Sequence, residues 1–232
     1  MKIMDIIKKQ ANQDSVREEI KFFAWHQVAT SGVSSISLGA IARSMKITTP
    51  ALYRYFDSRD HLILALTQDA YNSFYSALKT ARDSVPVDEH SARFRALCLA
   101  YFFWAVDHPQ QYQVIFGYSI SPYELNDIAG EIADRCFLIV IEMIDQACKA
   151  ERISVASTIE ISAEFANRLE RLSHEGKSWP ANVMYLALAS WSFINGVTSL
   201  EISQKYSLML AHQTREFVQL EVERFMKSIG FS

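Results

Sequence analysis

The sequence predicts an all-α protein. Only 7 Gly and 5 Pro occur in 232 residues, which is few for a β-rich or loop-rich chain. In most segments apolar residues recur three and four positions apart, the spacing of one face of an α-helix. Alternating apolar runs bounded by turn residues, which would indicate strands, do not occur. Half of the residues are hydrophobic, enough for a full helical core.

The first helices are delimited by capping residues. The helix that begins the chain is predicted to end near Gly32, because glycine is favoured just after a helix C-terminus. Ser37 is predicted to cap the segment LGAIARSM, and Thr48 the segment TPALYRYF. Ser58 is predicted to cap a long third segment that breaks near Pro86.

Further helices are predicted over the rest of the chain, with a turn at Ser121-Pro122 and a loop at HEGKSWP. Their approximate ranges are 89–107, 111–116, 124–149, 158–173, 181–204 and 210–227.

Charge divides the chain near residue 60. Residues 1–60 hold nine Lys/Arg and six Asp/Glu, a net charge of +3, whereas the remainder carries −6. A basic head on an acidic body suggests that the head meets a polyanion. We therefore place one domain at residues 1–60 and a second at residues 61–232.

Two short helices inside the head have the spacing of a helix–turn–helix. Leu38, Ile41, Ala42 and Met45 form one apolar face. A two-residue break at 46–47 separates them from the helix that Thr48 caps. An ordinary helical hairpin with solvated tyrosines would have the same spacing.

The second helix has a buried stripe and an outward face. Leu52 and Phe56 share one side and are expected to hold the helix on its partner. The remaining sides, with neighbouring residues, could contact DNA. The candidates are Ser37, Lys46, Thr48, Thr49, Pro50, Ala51, Tyr53, Arg54, Tyr55 and Arg59.

Each candidate contact has a physical basis. Arg54 can reach a guanine edge or a phosphate, and the methyl groups of Thr49 and Ala51 can meet a thymine methyl. Tyr53 and Tyr55 can direct hydroxyls at the flanking phosphates. Arg59 and the backbone N–H groups at the two helix starts are expected to add phosphate contacts.

The stretch ISLGAIARSMKITTPALYRYFDSRDHL resembles the DNA-binding region of the TetR family of bacterial transcriptional regulators. The resemblance implies a three-helix DNA-binding domain followed by a larger helical-bundle regulatory and dimerisation domain. It also implies a homodimer on a near-palindromic operator, with a small-molecule effector. Lys46 departs from the family pattern, which has Gly at this turn, so we predict a positive φ for Lys46.

Two later segments resemble the WHG subgroup of that family. They are AYFFWAVDHPQQYQVIF and ALASWSFINGVTSLE. Trp191 and Gly196 match the block that names the subgroup, but Asn195 stands where the subgroup has His.

Aromatic residues of these segments are the candidates for an effector pocket. The predicted ligand-binding residues are Phe103, Trp104, Tyr112, Phe116, Trp191 and Asn195, near Phe102, Tyr118 and Phe193. Such a lining suits an apolar or aromatic effector. Aromatics at helical spacing are, however, more often part of a plain core. The apolar faces of the last two helices could likewise pair in a dimer or pack within the chain.

No catalytic or metal-binding constellation is recognisable in the sequence. The six His form no H-x-x-x-H pair, and His108 is expected to cap a helix end. The three Cys lie in apolar contexts typical of buried thiols in a reducing cytoplasm. We therefore expect a cytoplasmic ligand-responsive repressor with no enzyme activity, cofactor or metal, and no membrane association. The alternative is a helical small-molecule-binding or scaffold protein whose head does not bind DNA.

Overall fold

The chain folds into helices joined by short turns. The structure, a computed structural model, describes residues 2–117, 127–153, 161–172 and 177–231. Those ranges contain isolated bridge residues, among them the antiparallel pair Ile153 and Phe231, but no β-strand, so the all-α prediction is confirmed.

Eleven α-helices are found in the described ranges. They are α1 (Lys2–Ser31), α2 (Leu38–Ser44), α3 (Thr49–Leu52), α4 (Arg59–Asp83), α5 (His90–Asp107), α6 (Pro109–Tyr112), α7 (Asp127–Lys149), α8 (Ala163–Glu170), α9 (Ala181–Ile202), α10 (Lys205–Leu210) and α11 (Thr214–Ser228). Short 3₁₀ turns occupy Val33–Ser35 and Ala211–Gln213, and a π-helix spans Gln113–Gly117.

The chain forms two compact units, which we call the head unit and the body unit. The head unit comprises Met1–Ala70 and Gln110–Ala129, and the body unit comprises Tyr71–Pro109 and Gly130–Ser232. The chain therefore passes from the first unit to the second within α4.

An apolar core holds the head unit. The buried face of α1 supplies Ile20, Ala24 and Val28, which lie in one cluster with residues from α2, α3 and α4. The other members are Val33, Ile36, Leu38, Ile41, Ala42, Leu52, Phe56, Leu62, Ile63, Leu66 and Val114. This core includes the apolar face predicted for α2 and both residues of the stripe predicted for the following helix.

The second helix of the pair is shorter than predicted. It ends at Leu52, and the chain then tightens, with Arg54 N–H donating to Ala51 O and Tyr55 N–H to Leu52 O, each three residues back. The 100° step per residue therefore does not hold beyond Leu52. Phe56 still reaches the core, at 2% exposure, because Phe56 N–H bonds Leu52 O.

Aromatic side chains fill the body unit. Phe74 of α4 is fully buried, with its ring centroid 4.9 Å from Tyr101 and 4.7 Å from Trp104. Trp191 of α9 meets Phe74 at 6.2 Å and Tyr101 at 5.5 Å. These edge-on and tilted arrangements are favourable for aromatic rings.

Most helices of the body unit lie where the sequence predicts them, with one omission. The break after α4 and the end of α5 before Pro109 are confirmed. Helix α10 was not predicted. It occupies the gap between the predicted helices 181–204 and 210–227 and is bounded by two residues with positive φ, Gln204 at 60° and Ala211 at 51°.

Some predicted features lie outside the described residues. These are Tyr118, the Ser121-Pro122 turn, positions 124–126 of one predicted helix, positions 158–160 and 173 of another, and part of the HEGKSWP loop.

Helix α9 is, in the described part of the chain, the one helix long and apolar enough to cross a membrane by length and composition alone. Its buried residues, among them Val183, Met184, Ala187 and Ile194, pack against other helices of the body unit. A core helix of a soluble protein passes the same test, so we interpret α9 as a core helix.

Candidate nucleic-acid interface

The N-cap residue of helix α2, Ser37, makes two hydrogen bonds. The Ser37 hydroxyl accepts a hydrogen bond from Ala40 N–H at 3.4 Å, as predicted for an N-cap residue. The Ser37 N–H in turn donates to Oε1 of Gln27 at 2.8 Å, which ties the cap to α1. Ser37 itself is exposed, so the start of α2 is open to solvent.

The turn between α2 and α3 is closed by a left-handed lysine. Lys46 has φ of 57°, which confirms the predicted positive value. Its N–H donates to Arg43 O, and Ile47 N–H donates to Ala42 O five residues back. This hydrogen-bond pair is the Schellman arrangement, which satisfies two carbonyls at the end of α2. The exposed Lys46 side chain is left at the surface of the turn.

Helix α3 is a single capped turn anchored by one leucine. The Thr48 hydroxyl accepts from Ala51 N–H at 3.3 Å, and Pro50 occupies the first turn, where its missing N–H costs nothing. Leu52 is 0% exposed and fixes the helix on the head core.

The outward side of this segment carries the remaining candidates. Pro50 and Arg54 are exposed, Tyr53 is 47% exposed, and Thr49 and Ala51 are half-buried. Small residues beside one arginine and one tyrosine allow a close approach of the backbone to a DNA groove. Whether these side chains touch DNA stays a prediction.

Tyr55 is held more tightly than its neighbour. It is half-buried and packs against the head core, and its carbonyl oxygen accepts from Nη1 of Arg17 at 2.5 Å. The guanidinium carbon of Arg17 lies 4.4 Å from the centroid of the Phe56 ring, a cation–π contact. Arg17 and Gln27 are the two residues of this surface that sequence reasoning missed. Both lie on α1, and only the packing of α1 against helices α2 and α3 shows that they hydrogen-bond to the helix–turn–helix.

Most of the hydrogen-bond donors of Arg59 point toward backbone carbonyls of the protein. Nε donates to Ile36 O at 3.0 Å, and Nη2 lies 3.2 Å from both Val33 O and Ser34 O. Nη1 lies 3.6 Å from a carboxylate oxygen of Asp60. A phosphate contact by Arg59 is still untested, and these internal bonds compete with it.

The predicted ligand-binding residues do not gather at one site in either unit. Tyr112 and Phe116 belong to the head unit, where their rings are 4.9 Å apart. In the body unit Trp104 is buried and its Nε1 donates to Ser73 Oγ at 3.0 Å. Phe103 is half-buried, with the Arg215 guanidinium 5.0 Å from its ring centroid.

Trp191 borders an apolar cavity of the body unit, and the half-buried Asn195 follows it one helical turn later. The cavity is lined by Leu78, Phe94, Leu97, Cys98, Tyr101, Val140, Ser190, Trp191 and Ile194. Its volume, about 10 Å³ for the centre of a water molecule, is about the room of one water.

His108 closes α5. Its backbone N–H donates to Trp104 O at 2.8 Å, its Nδ1 lies 2.9 Å from the same oxygen, and its ring stacks on the indole at 5.6 Å. These contacts are those of the predicted capping residue.

All three thiols are free, with Cys98 and Cys136 buried and Cys148 half-buried. Burial raises the pKa of the Cys98 thiol to about 12, and burial, opposed by Arg135, does the same for Cys136. Burial, followed by the charge of Asp145, raises the pKa of the half-exposed Cys148. The described residues contain no group of three or more His, Cys, Asp or Glu side chains that could hold a metal ion.

A capped, anchored helix–turn–helix in a basic head, attached to an aromatic helical body, defines a class of DNA-binding regulators. Comparison with known families agrees. Residues 94–225 match the family described as tetracyclin repressor-like, C-terminal domain, and residues 24–66 match bacterial regulatory proteins, tetR family. The chain belongs to the TetR family and is a DNA-binding transcriptional regulator.

Individual relatives support the assignment. The HTH-type transcriptional regulators Rv1816 of Mycobacterium tuberculosis and Mb1846 of Mycobacterium bovis are each 25% identical to this chain over 203 residues, 86% of either partner. Among solved structures, a presumed regulatory protein, SCO4313, is 32% identical with a TM-score of 0.75, covering 94% of this chain and 98% of its own. FadR of Bacillus subtilis, solved with stearoyl-CoA, shares the fold at 12% identity and a TM-score of 0.64, over 91% and 98%.

Proposed function

We propose that this regulator is a ligand-responsive repressor that binds a near-palindromic operator as a homodimer. Residues 1–60 would bind DNA, and residues 61–232 would bind the effector and dimerise. The observation that carries the proposal is the α3 segment, where Leu52 and Phe56 are buried while Pro50, Tyr53 and Arg54 are exposed. Two such segments, related by a two-fold axis, suit half-sites one DNA turn apart.

The proposed DNA contacts divide into two kinds. Arg54 reads a base edge, with Thr49 and Ala51 providing methyl contacts. Tyr53, Tyr55, Lys46 and the N–H groups at the helix starts Ser37 and Thr48 position the head on phosphates. The exposure of the Arg54 and Lys46 side chains supports this division.

Fluorescence anisotropy with DNA from immediately upstream of the protein's own gene tests DNA reading. We expect tighter binding than to scrambled DNA, weakening steeply as salt rises. Arg54→Ala should change operator preference, and Lys46→Gln should weaken binding to both DNAs and reduce the salt slope by about 1. Asp14→Asn, an exposed residue of α1, is the surface control. If Arg54→Ala left affinity and preference unchanged, the assignment of α3 to the groove would be wrong.

The dimer proposal draws on the exposed apolar side chains at the C-terminal end of the body unit. Leu208 and Met209 of α10 are 79% and 78% exposed, and Leu220 of α11 is 61% exposed. By contrast, Leu186 and Val197 of α9 are buried within the chain, so they are core residues and not candidates for pairing. A second copy is the occupant that the family's usual dimer suggests.

Light scattering after gel filtration tests the dimer. The double variant Leu208→Ser, Met209→Ser should shift the mass from dimer to monomer at micromolar concentration. Phe22→Ser, at an exposed apolar position of the head unit (66%), should leave the mass unchanged. A dimer that survives the double variant would require another interface.

The effector is proposed to bind in the body unit beside Trp191. The cavity lining is apolar, which supports an apolar or aromatic ligand. At the size of one water, the cavity must widen before a drug-sized molecule fits, so binding would select an opened form of the body unit. Ligand binding would then release DNA only if the ligand prefers the form with the lower DNA affinity.

Quenching of tryptophan fluorescence and thermal shift test the effector site. The panel should include aromatic compounds and acyl chains, the latter because FadR carries stearoyl-CoA. Trp191→Phe should weaken binding of any hit, whereas Phe103→Leu, outside the cavity lining, should not. Equal effects of the two variants would move the site elsewhere.

We also propose that the chain is a WHG-type member of the family, acts in the cytoplasm and has no catalytic activity. The Trp191 and Gly196 pair and the His108-Pro109 step support the subgroup, and Asn195 in the His position is its main departure. Substituting Asn195→His tests whether the subgroup residue can be restored without loss of stability.

A further inference from the structure

Two arginines that lie outside the helix–turn–helix donate hydrogen bonds to backbone carbonyl oxygens at its ends. Arg59 begins α4, and Arg17 lies on α1. Their targets are carbonyl oxygens at opposite ends of the helix–turn–helix, just before α2 and just after α3.

At the first end, Arg59 is bound to three carbonyls in four residues. The oxygens of Val33, Ser34 and Ile36 lie 3.2, 3.2 and 3.0 Å from its guanidinium nitrogens. These carbonyls belong to the 3₁₀ turn and the residue after it, immediately before the Ser37 cap. A planar fork of five donors can span such a set, whereas a lysine ammonium cannot.

At the other end, Arg17 holds the tight turn that follows α3. It donates to Tyr55 O, and its guanidinium covers the Phe56 ring. Because α3 is only four residues long, its own hydrogen bonds cannot fix the direction in which the chain leaves. An external donor on Tyr55 supplies that restraint.

We propose that Arg17 and Arg59 are positioning residues for operator recognition, which hold the two ends of the helix–turn–helix at the angle DNA requires, and that Arg59 does not contact phosphate. The proposal rests on the DNA contacts proposed above and replaces the phosphate contact predicted for Arg59. Most of the Arg59 donors are turned to the protein, and charge-assisted bonds to carbonyls are stronger than neutral ones.

The test compares charge-conserving and charge-removing variants with a matched structural control. The variants are Arg59→Lys, Arg59→Gln, Arg17→Lys and Arg17→Gln. The control is Lys21→Met, because Lys21 also joins α1 to α4, through Asp69 at 2.7 Å, but does not touch the helix–turn–helix backbone. Affinity for operator and scrambled DNA is measured against salt at 25 °C, after circular dichroism has verified that each variant is folded.

We expect Arg59→Lys and Arg59→Gln to weaken operator binding alike, by about tenfold, the factor for one lost charge-assisted hydrogen bond. The ratio of operator to scrambled affinity should fall while the salt slope of Arg59→Lys stays that of the wild type. The Arg17 variants should act in the same direction, and Lys21→Met should keep wild-type affinity while melting at a lower temperature.

Two DNA-binding outcomes would overturn the proposal. If Arg59→Lys kept wild-type affinity while Arg59→Gln reduced the salt slope by about 1, Arg59 would be a phosphate ligand. If the folded variants all bound like the wild type, the two arginines would only stabilise the unit.

A separate experiment tests the positioning role even if the proposed DNA contacts are wrong. Hydrogen exchange of the free protein needs no operator. Arg59→Gln should speed exchange of the Ala40 and Ile41 amides, which bond Ser37, more than Lys21→Met does. Unchanged exchange at these amides would overturn the positioning role even if the wild type bound DNA.

Discussion

The head and body units keep their shape by different means. In the head unit, the segment proposed to meet DNA packs on an apolar core and is fixed in addition by backbone hydrogen bonds: two hydroxyl caps, a left-handed lysine turn and arginines on carbonyls. In the body unit, interlocking aromatic rings dominate, around the fully buried Phe74. Hydrogen bonds are directional and fix a surface that must match another molecule, whereas ring packing depends on volume.

The α3 segment and the C-terminal end of the body unit also differ in the side chains that they expose. The α3 segment exposes small or polar side chains, because its orientation is maintained from behind by Leu52 and from the ends by arginines. The C-terminal end of the body unit instead leaves Leu208 and Met209 exposed. The proposed dimer would cover these two side chains.

The largest expected effect is in the aromatic core. Phe74→Ala removes a ring that three other aromatics contact, and should lower the free energy of unfolding by about 3–5 kcal/mol. Urea unfolding followed by circular dichroism measures it. Phe22→Ala, at a 66% exposed position, should change stability by less than about 0.5 kcal/mol. Equal losses for the two variants would contradict the packing account.

The second-largest effect on stability is expected at Lys46, in the turn between α2 and α3. Lys46→Ile places a β-branched residue at φ of 57° and should cost about 1–2 kcal/mol. Lys46→Gly should stay within about 0.5 kcal/mol of the wild type, because relief of strain is offset by the greater freedom of the unfolded chain. The same unfolding assay applies, and a tolerated isoleucine would show that the turn adopts another geometry in solution.

A smaller loss is expected at the α3 cap. Thr48→Ala removes the acceptor of the Ala51 N–H bond, 3.3 Å long, and should cost about 1 kcal/mol or less. Thr48→Ser keeps the hydroxyl and should restore most of the stability. Since α3 is a single turn, exchange of the Ala51 amide is the most direct measurement. No change in that exchange rate would mean that the cap does not form.

The smallest effect concerns thiol reactivity. Because burial raises the pKa of Cys98 and Cys136 to about 12, Cys148 should react first with a thiol reagent at pH 8. Folded Cys98 keeps its proton between pH 9 and 12, whereas an unfolded thiol loses it, so stability should fall as pH rises through that window. Mass spectrometry of partly labelled protein gives the order, and early labelling of Cys98 would contradict its burial.

The sequence by itself determined the fold class, the helix–turn–helix and its caps. Ser37, Thr48 and Ser58 are found as caps, and Lys46 is left-handed, because caps and turns depend on residues only a few positions apart. Apolar spacing also identified Leu52 and Phe56 as buried, although Phe56 lies beyond the end of α3 and reaches the core through the tight turn that follows it.

Only the tertiary structure decided what these local elements contact. It ended α3 at Leu52, turned Arg59 toward three carbonyls and brought Arg17 to Tyr55, 38 positions away. It also separated core aromatics from the cavity lining, since Trp191 borders the cavity and Phe103 lies under Arg215. A side chain's type limits the bonds it can make, but its partners depend on helices packed from distant parts of the chain, which no local pattern encodes.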